Sequence, residues 1–213
     1  MEGSDTETRD HWWWRPGWRT GRSFYTWHIL VDDQEAIHKF AARVQPELEA
    51  TGALGAIPFQ WLHMTMQGVG FSDEVAEAEV AAVAAAVERR LAVVQPVAAT
   101  VGPLVADAEG VNLPVRPVGP VDGVRRAIRE GIADVWGPDR VPEDAEGYRP
   151  HVSLAYSNVS GRALAPIREV IARYDEVIPV TLTRATLIDV NRDDQVYRWR
   201  IIHTAAFADG SPG

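Results

Sequence analysis

The sequence predicts an α+β fold of two pseudo-symmetric lobes, and three observations carry that prediction. Runs rich in aromatic and β-branched residues alternate with stretches of helical periodicity. Two tetrads of the same form, His63-Met64-Thr65-Met66 and His151-Val152-Ser153-Leu154, each sit in a strand-like run. After each tetrad the same order follows: a helix, then two further strands.

Phe24–Val31 reads as the first strand, FYTWHILV. Asp32 and Asp33 open a helix whose stripe is Ile37, Phe40, Ala41, Val44 and Leu48, with Gly52 and Gly55 closing it. Gln60–Gly70 carries the first tetrad as a strand. Ser72 is the expected N-cap of the next helix, with Asp73 and Glu74 in a first turn that favours negative charge, and this helix runs to about Leu91. Pro96–Val105 and Gly110–Val115 are expected strands around a turn at 108–110. Val121–Trp136 is a third helix with Val124, Ile128, Ile132 and Val135 inward. A loop punctuated by proline and glycine, 137–150, leads into the second tetrad strand, His151–Tyr156. Leu164–Tyr174 is a fourth helix. Val177–Val190 and Val196–Phe207 are closing strands, joined as a hairpin across 191–195.

Composition narrows the function. A 213-residue chain that is 46% hydrophobic and 24% charged suits one packed soluble domain. Net charge is −9 and the pI near 5.1. That balance argues against a long polyanion as main ligand, because phosphate neutralisation by a basic face carries most nucleic-acid affinity. Cysteine is absent, which excludes disulfides, zinc-thiolate sites and thiol nucleophiles. The acidic start MEGSDTETRD does not read as a signal peptide. No run reaches the roughly 20 apolar residues of a membrane span. A cytoplasmic protein, favoured as a monomer, is expected.

The tetrads carry the chemistry. Alternate side chains of a strand face opposite ways, so His63 and Thr65 share one face while Met64 and Met66 share the other. The same holds for His151 with Ser153 against Val152 with Leu154. If the strands meet, two imidazoles and two hydroxyls converge, a set suited to general acid–base work on a phosphate ester without a metal. Two imidazoles underfill a zinc shell, and no His-Glu-x-x-His motif completes one. No cofactor is implied.

With these tetrads, with Trp61-Leu62 before the first and Arg149-Pro150 before the second, the chain resembles the two-histidine phosphoesterase superfamily, in the branch similar to bacterial 2′-5′ RNA ligases. The resemblance covers about Phe24 to Phe207. It implies antiparallel sheets lining a central cleft, helices packed outside, and hydrolysis of 2′,3′-cyclic phosphates or 2′-5′ phosphodiesters. Some members run the reverse ligation without ATP. The implied substrate is a nucleotide or an RNA end. On this reading His63 and His151 exchange protons with water and the departing ribose oxygen, while Thr65 and Ser153 hydrogen-bond the non-bridging oxygens.

Further candidates for substrate contact are Tyr25, His28, Gln67, Tyr148, Arg149 and Arg198. Tyr25 and His28 offer rings to a base, Gln67 shares parity with His63, Tyr148 and Arg149 stand at the mouth of the second tetrad, and Arg198 offers a cation. His11, His38 and His203 lack motif context. The chain departs from the family pattern at residues 1–22, an arm holding Trp12, Trp13, Trp14 and Trp18, half of the eight tryptophans. Residues 23–207 are expected to form one bilobal domain and 208–213 a flexible tail. The competing reading is a catalytically silent nucleotide-binding module of the same fold.

Overall fold

The computed structural model describes residues 5–208. The expected tail lies, but for Ala208, outside the described residues. In chain order the elements are β1 (Phe24–Leu30), α1 (Glu35–Glu49), β2 (Leu54–Ala56), β3 (His63–Phe71), α2 (Glu77–Leu91), β4 (Val97–Val101) and β5 (Val105–Ala106). Then follow β6 (Gly110–Arg116), α3 (Val118–Trp136), β7 (His151–Ser157), α4 (Ala165–Ile171), β8 (Ile178–Leu182), β9 (Arg184–Asn191) and β10 (Arg198–Ala206).

The strands form two sheets, ordered β10-β9-β1-β3 and β2-β7-β6-β4-β8, with β5 beside β6. Neighbours in both sheets run antiparallel. The α+β class and the two-lobed plan are as the sequence predicts, but the symmetry groups the strands differently. Each tetrad strand pairs with an earlier strand of its own half, β3 with β1 and β7 with β6. Of the strands after the two following helices, β8 stays in the sheet of β7, while others cross over. β4 joins the sheet of β7, and β9 joins the sheet of β3. Each half of the chain thus supplies a strand to the other half's sheet.

Helix α1 buries Ile37, Phe40, Ala41, Val44 and Leu48, the predicted stripe. Burying one such aliphatic side chain stabilises by about 1.5–3 kcal/mol, so this face suffices to dock the helix. Helix α2 starts later than expected, with Ala76 as N-cap and the Glu79 carboxylate accepting the Ala76 N–H at 3.3 Å. Ser72 is taken by the end of β3, where its hydroxyl meets that of Ser23 at 2.8 Å. Helix α3 starts three residues early, and Val135 is exposed rather than inward. The expected strand 177–190 breaks at Thr183 because its halves belong to different sheets. Strand β2 escaped prediction: it is three residues long and gains its place only by pairing with β7. Among the described residues no helix is long and apolar enough to cross a membrane.

Candidate active site

β3 and β7 approach each other between the sheets, and their tetrads divide by parity. Met64, Met66, Val152 and Leu154 are buried in the core. His63, Thr65, His151 and Ser153 all line one cavity of about 630 Å³. The imidazoles are held alike. The His63 Nδ1–H donates to the Trp61 carbonyl at 2.8 Å, and the His151 Nδ1–H donates to the Arg149 carbonyl at 2.8 Å. A carbonyl only accepts, so Nδ1 carries the proton in both rings and each Nε2 is left to act. Their surroundings differ. His63 is buried and His151 exposed. Burial pulls the His63 pKa down to about 4; the carbonyl bond opposes this and the charge of His151 adds to it.

The hydroxyls are matched as well. In the ladders, Thr65 faces His28 and Ser153 faces Asn112. Thr65 Oγ1 lies 3.4 Å from His28 Nε2, and the Ser153 hydroxyl donates to Asn112 Oδ1 at 2.7 Å. Asn112 is fixed in turn by donating to Asp107 at 2.9 Å. The His28 ring stacks on His63, with centroids 4.3 Å apart and planes 4° from parallel. Burial, then the charge of His63, pushes the His28 pKa far down.

The family profile of the 2′-5′ RNA ligase superfamily matches residues 27–194, a span holding both tetrads. The chain belongs to the 2′-5′ RNA ligase superfamily. Solved structures of similar fold include TT0787 of Thermus thermophilus, 13% identical, with a TM-score of 0.65, covering 86% of this chain and 97% of that one. Escherichia coli LigT complexed with 3′-AMP is 16% identical, with a TM-score of 0.60, covering 88% and 99%. LigT complexed with ATP is 15% identical, with a TM-score of 0.59 and the same coverage. No curated protein matches the sequence.

In this superfamily member the N-terminal arm adds a wall to the cleft. Its backbone pairs beside the second lobe, with the His11 N–H donating to the Ser157 carbonyl at 2.9 Å. The first lobe grips it through Arg192, which donates to the His11 carbonyl at 2.9 Å. Arg22, over the Phe71 ring and bonded to Asp73, fixes the arm's far end. His11, Arg15 and Trp18 consequently line the cavity with the tetrads, as do Tyr156, Arg192 and Tyr197. The His11 ring stacks on Tyr156 at 3.9 Å and meets the Tyr197 hydroxyl at 3.0 Å. Burial chiefly, with the Arg15 charge, lowers its pKa to about 3. Motif reading missed His11 because a lone histidine among tryptophans carries no spacing signal.

Other candidates are placed elsewhere. Tyr25 sits in the core with Trp27 and Ile29, on the strand face opposite to His28. Gln67 also leaves the site. His28 pairs with Thr65 but Trp27 pairs with Gln67, so Met66 is an extra residue that reverses the parity beyond it. Gln67 is fully buried, donating to the Pro142 carbonyl at 2.7 Å and accepting from Arg129 at 2.8 Å. It anchors the 137–150 loop. Arg198 is bound by Asp194 on the exposed surface, outside the cavity. The Tyr148 hydroxyl donates to the Thr65 carbonyl at 2.9 Å, clamping the loop onto β3. Tyr148 and Arg149 line a neighbouring cavity of about 800 Å³ that shares His151 and Asn112 with the first. Among the described residues no three His, Asp or Glu side chains gather as a metal site.

Proposed function

We propose that this protein is a metal-independent phosphodiesterase that opens 2′,3′-cyclic phosphates or hydrolyses 2′-5′ linkages of small nucleotides or RNA ends. One observation carries the reading: two imidazoles with identical Nδ1–H anchors present free Nε2 atoms to one cavity beside two hydroxyls. His63, which burial holds neutral, is the base. It takes a proton from water as the water oxygen attacks phosphorus. The bond from phosphorus to the ribose oxygen breaks, and His151, open to solvent, protonates that oxygen. As charge builds on the non-bridging oxygens, Thr65 donates to one and the Ser153 hydroxyl turns from Asn112 to donate to the other. In ligation a nucleotide hydroxyl takes the place of water: it loses its proton as its oxygen attacks the cyclic phosphorus, and the departing ribose oxygen is protonated.

The cavity beyond His151, flanked by Tyr148 and Arg149, accommodates the nucleoside that continues past the scissile bond. LigT, of like fold, has been crystallised with 3′-AMP and with ATP, which supports a nucleotide as ligand here. A chain without cysteine and with an acidic pI suits the cytoplasm, residues 23–207 acting as one catalytic domain. The test is opening of a 2′,3′-cyclic nucleotide in EDTA. His63→Ala and His151→Ala are each expected to lose about 10²–10⁴-fold in kcat, the range of a positioned proton transfer. Full activity in either variant refutes the mechanism, and a need for added metal refutes metal independence.

A further inference from the structure

The arm end of the cavity holds a buried guanidinium that makes no ion pair, with the charges of Glu109 and Asp10 acting on it only from beyond contact. Arg192 is 3% exposed and lines the cavity. One Nη2–H goes to the His11 carbonyl, and the rings of Trp12, Trp18 and Tyr197 lie 5.4, 5.7 and 5.7 Å from its centre. Its Nη1 has no hydrogen-bond partner. Aromatic faces attract a cation but leave in-plane N–H groups unsatisfied, and a buried idle donor on a charged group is costly.

Arg15 is its neighbour, near enough for the two positive charges to repel. Arg15 Nη2 meets Glu109 at 2.7 Å, and its Nε has no partner. Glu109 is the one carboxylate that pairs here, and it is shared among Arg9, His11 and Arg15. The other acidic groups of the wall are engaged. Asp107 accepts from Gly110, Glu109 and Asn112; Glu143 faces Arg125 at 3.7 Å; Asp5 accepts from the Ala108 N–H. Arg15 and Arg192 both act on the Tyr156 and Tyr197 phenols, and the Tyr197 ring lies 6.0 Å from that of His63. The cations therefore stand one aromatic ring away from the tetrads.

We propose that Arg192 and Arg15 form an anion subsite for a second, uncleaved phosphate of the substrate. Guanidinium groups suit this because their N–H forks match phosphate oxygens. Arm residues His11, Arg15 and Trp18 line the cavity beside both guanidinium groups, so the second phosphate is taken as terminal, and the preferred substrate is a nucleotide carrying two phosphate groups. The inference rests on the proposed function in placing the cleaved phosphate at the tetrads.

The test is calorimetric binding of adenosine 2′,5′-bisphosphate against adenosine 2′-phosphate, neither of which needs turnover. The intact protein is expected to bind the bisphosphate at least tenfold more tightly. Arg192→Gln should abolish that preference and Arg192→Lys should retain part of it. Arg15→Gln, at a half-exposed position, should weaken the preference even if Arg192→Gln fails to fold. Equal affinities in the intact protein overturn the subsite, as does a full preference surviving in both glutamine variants. Cyclic-phosphate opening is scored separately. Turnover without the preference refutes the subsite alone; the preference without turnover refutes the hydrolase and leaves the subsite standing.

Discussion

At the scale of residues, the two tetrads are alike in sequence and unlike in environment. His63 is buried against His28, whereas His151 meets solvent, and this difference assigns the base. A base must be unprotonated, so kcat/KM is expected to hold on the acid side until pH nears 4 and then fall, as the His63 pKa of about 4 requires. A pH–rate profile whose acid limb falls near 6.5 instead would remove His63 from that role. The cross-strand partners matter next. The Ser153 hydroxyl has one proton and gives it to Asn112 Oδ1 at 2.7 Å, so it must turn from Asn112 to donate to phosphate, and Asn112→Ala removes that competing acceptor. Steady-state kinetics of Asn112→Ala should therefore show no loss of kcat, whereas Ser153→Ala, which removes the donor itself, should lose roughly tenfold. Asn112 carried no motif signal; only the ladder puts it opposite Ser153.

At the scale of elements, close packing and one irregular strand decide what the tetrads can do. Helices α2 and α3 meet at Gly131, where an added Cβ would lie 2.7 Å from the Val87 Cα. Gly131→Ala is expected to destabilise by about 1–3 kcal/mol through forced separation of the helices, measured by urea denaturation, with the cavity residues untouched. The extra residue at Met66 is equally consequential. It turns Gln67 from the cleft into the core, and the Met66 carbonyl is sealed by Arg125 at 2.9 Å. Simple alternation therefore read the face of Thr65 correctly and that of Gln67 incorrectly. The helical stripe of α1 was legible because its periodicity is local. The start of α2 was not, because Ser72 had a competing partner in Ser23, distant in sequence.

At the scale of the whole molecule, β4 and β9 each complete the opposite sheet, so neither half can keep its core without the other. Thermal unfolding followed by circular dichroism and by tryptophan fluorescence should accordingly give one coincident transition. Its midpoint should depend on pH with a definite sign. His11, His28 and His63 are buried with lowered pKa values, so the unfolded chain binds more protons than the folded one below about 6.5. Stability is then fully present above that pH and declines as the pH falls toward about 4 and 3, the folded values of His63 and His11. A midpoint constant from pH 7 to pH 4 would contradict this account. The arm belongs to the same scale, since it touches β7 through Ser157 and the end of β9 through Arg192, and so spans both lobes.

The sequence by itself determined the α+β class, the two tetrad strands and the side-chain parity within each tetrad, because periodicity and alternation are properties of short stretches of chain. Tertiary structure alone decided that His28 and Asn112 face the tetrad hydroxyls, that Gln67 and Tyr25 leave the cleft, and that the arm brings Arg15 to Arg192. Those outcomes depend on strand register, on one inserted residue and on contacts between residues far apart in sequence. Such contacts are fixed by what each side chain can bury or pair with once the sheets have formed, and no local pattern encodes them.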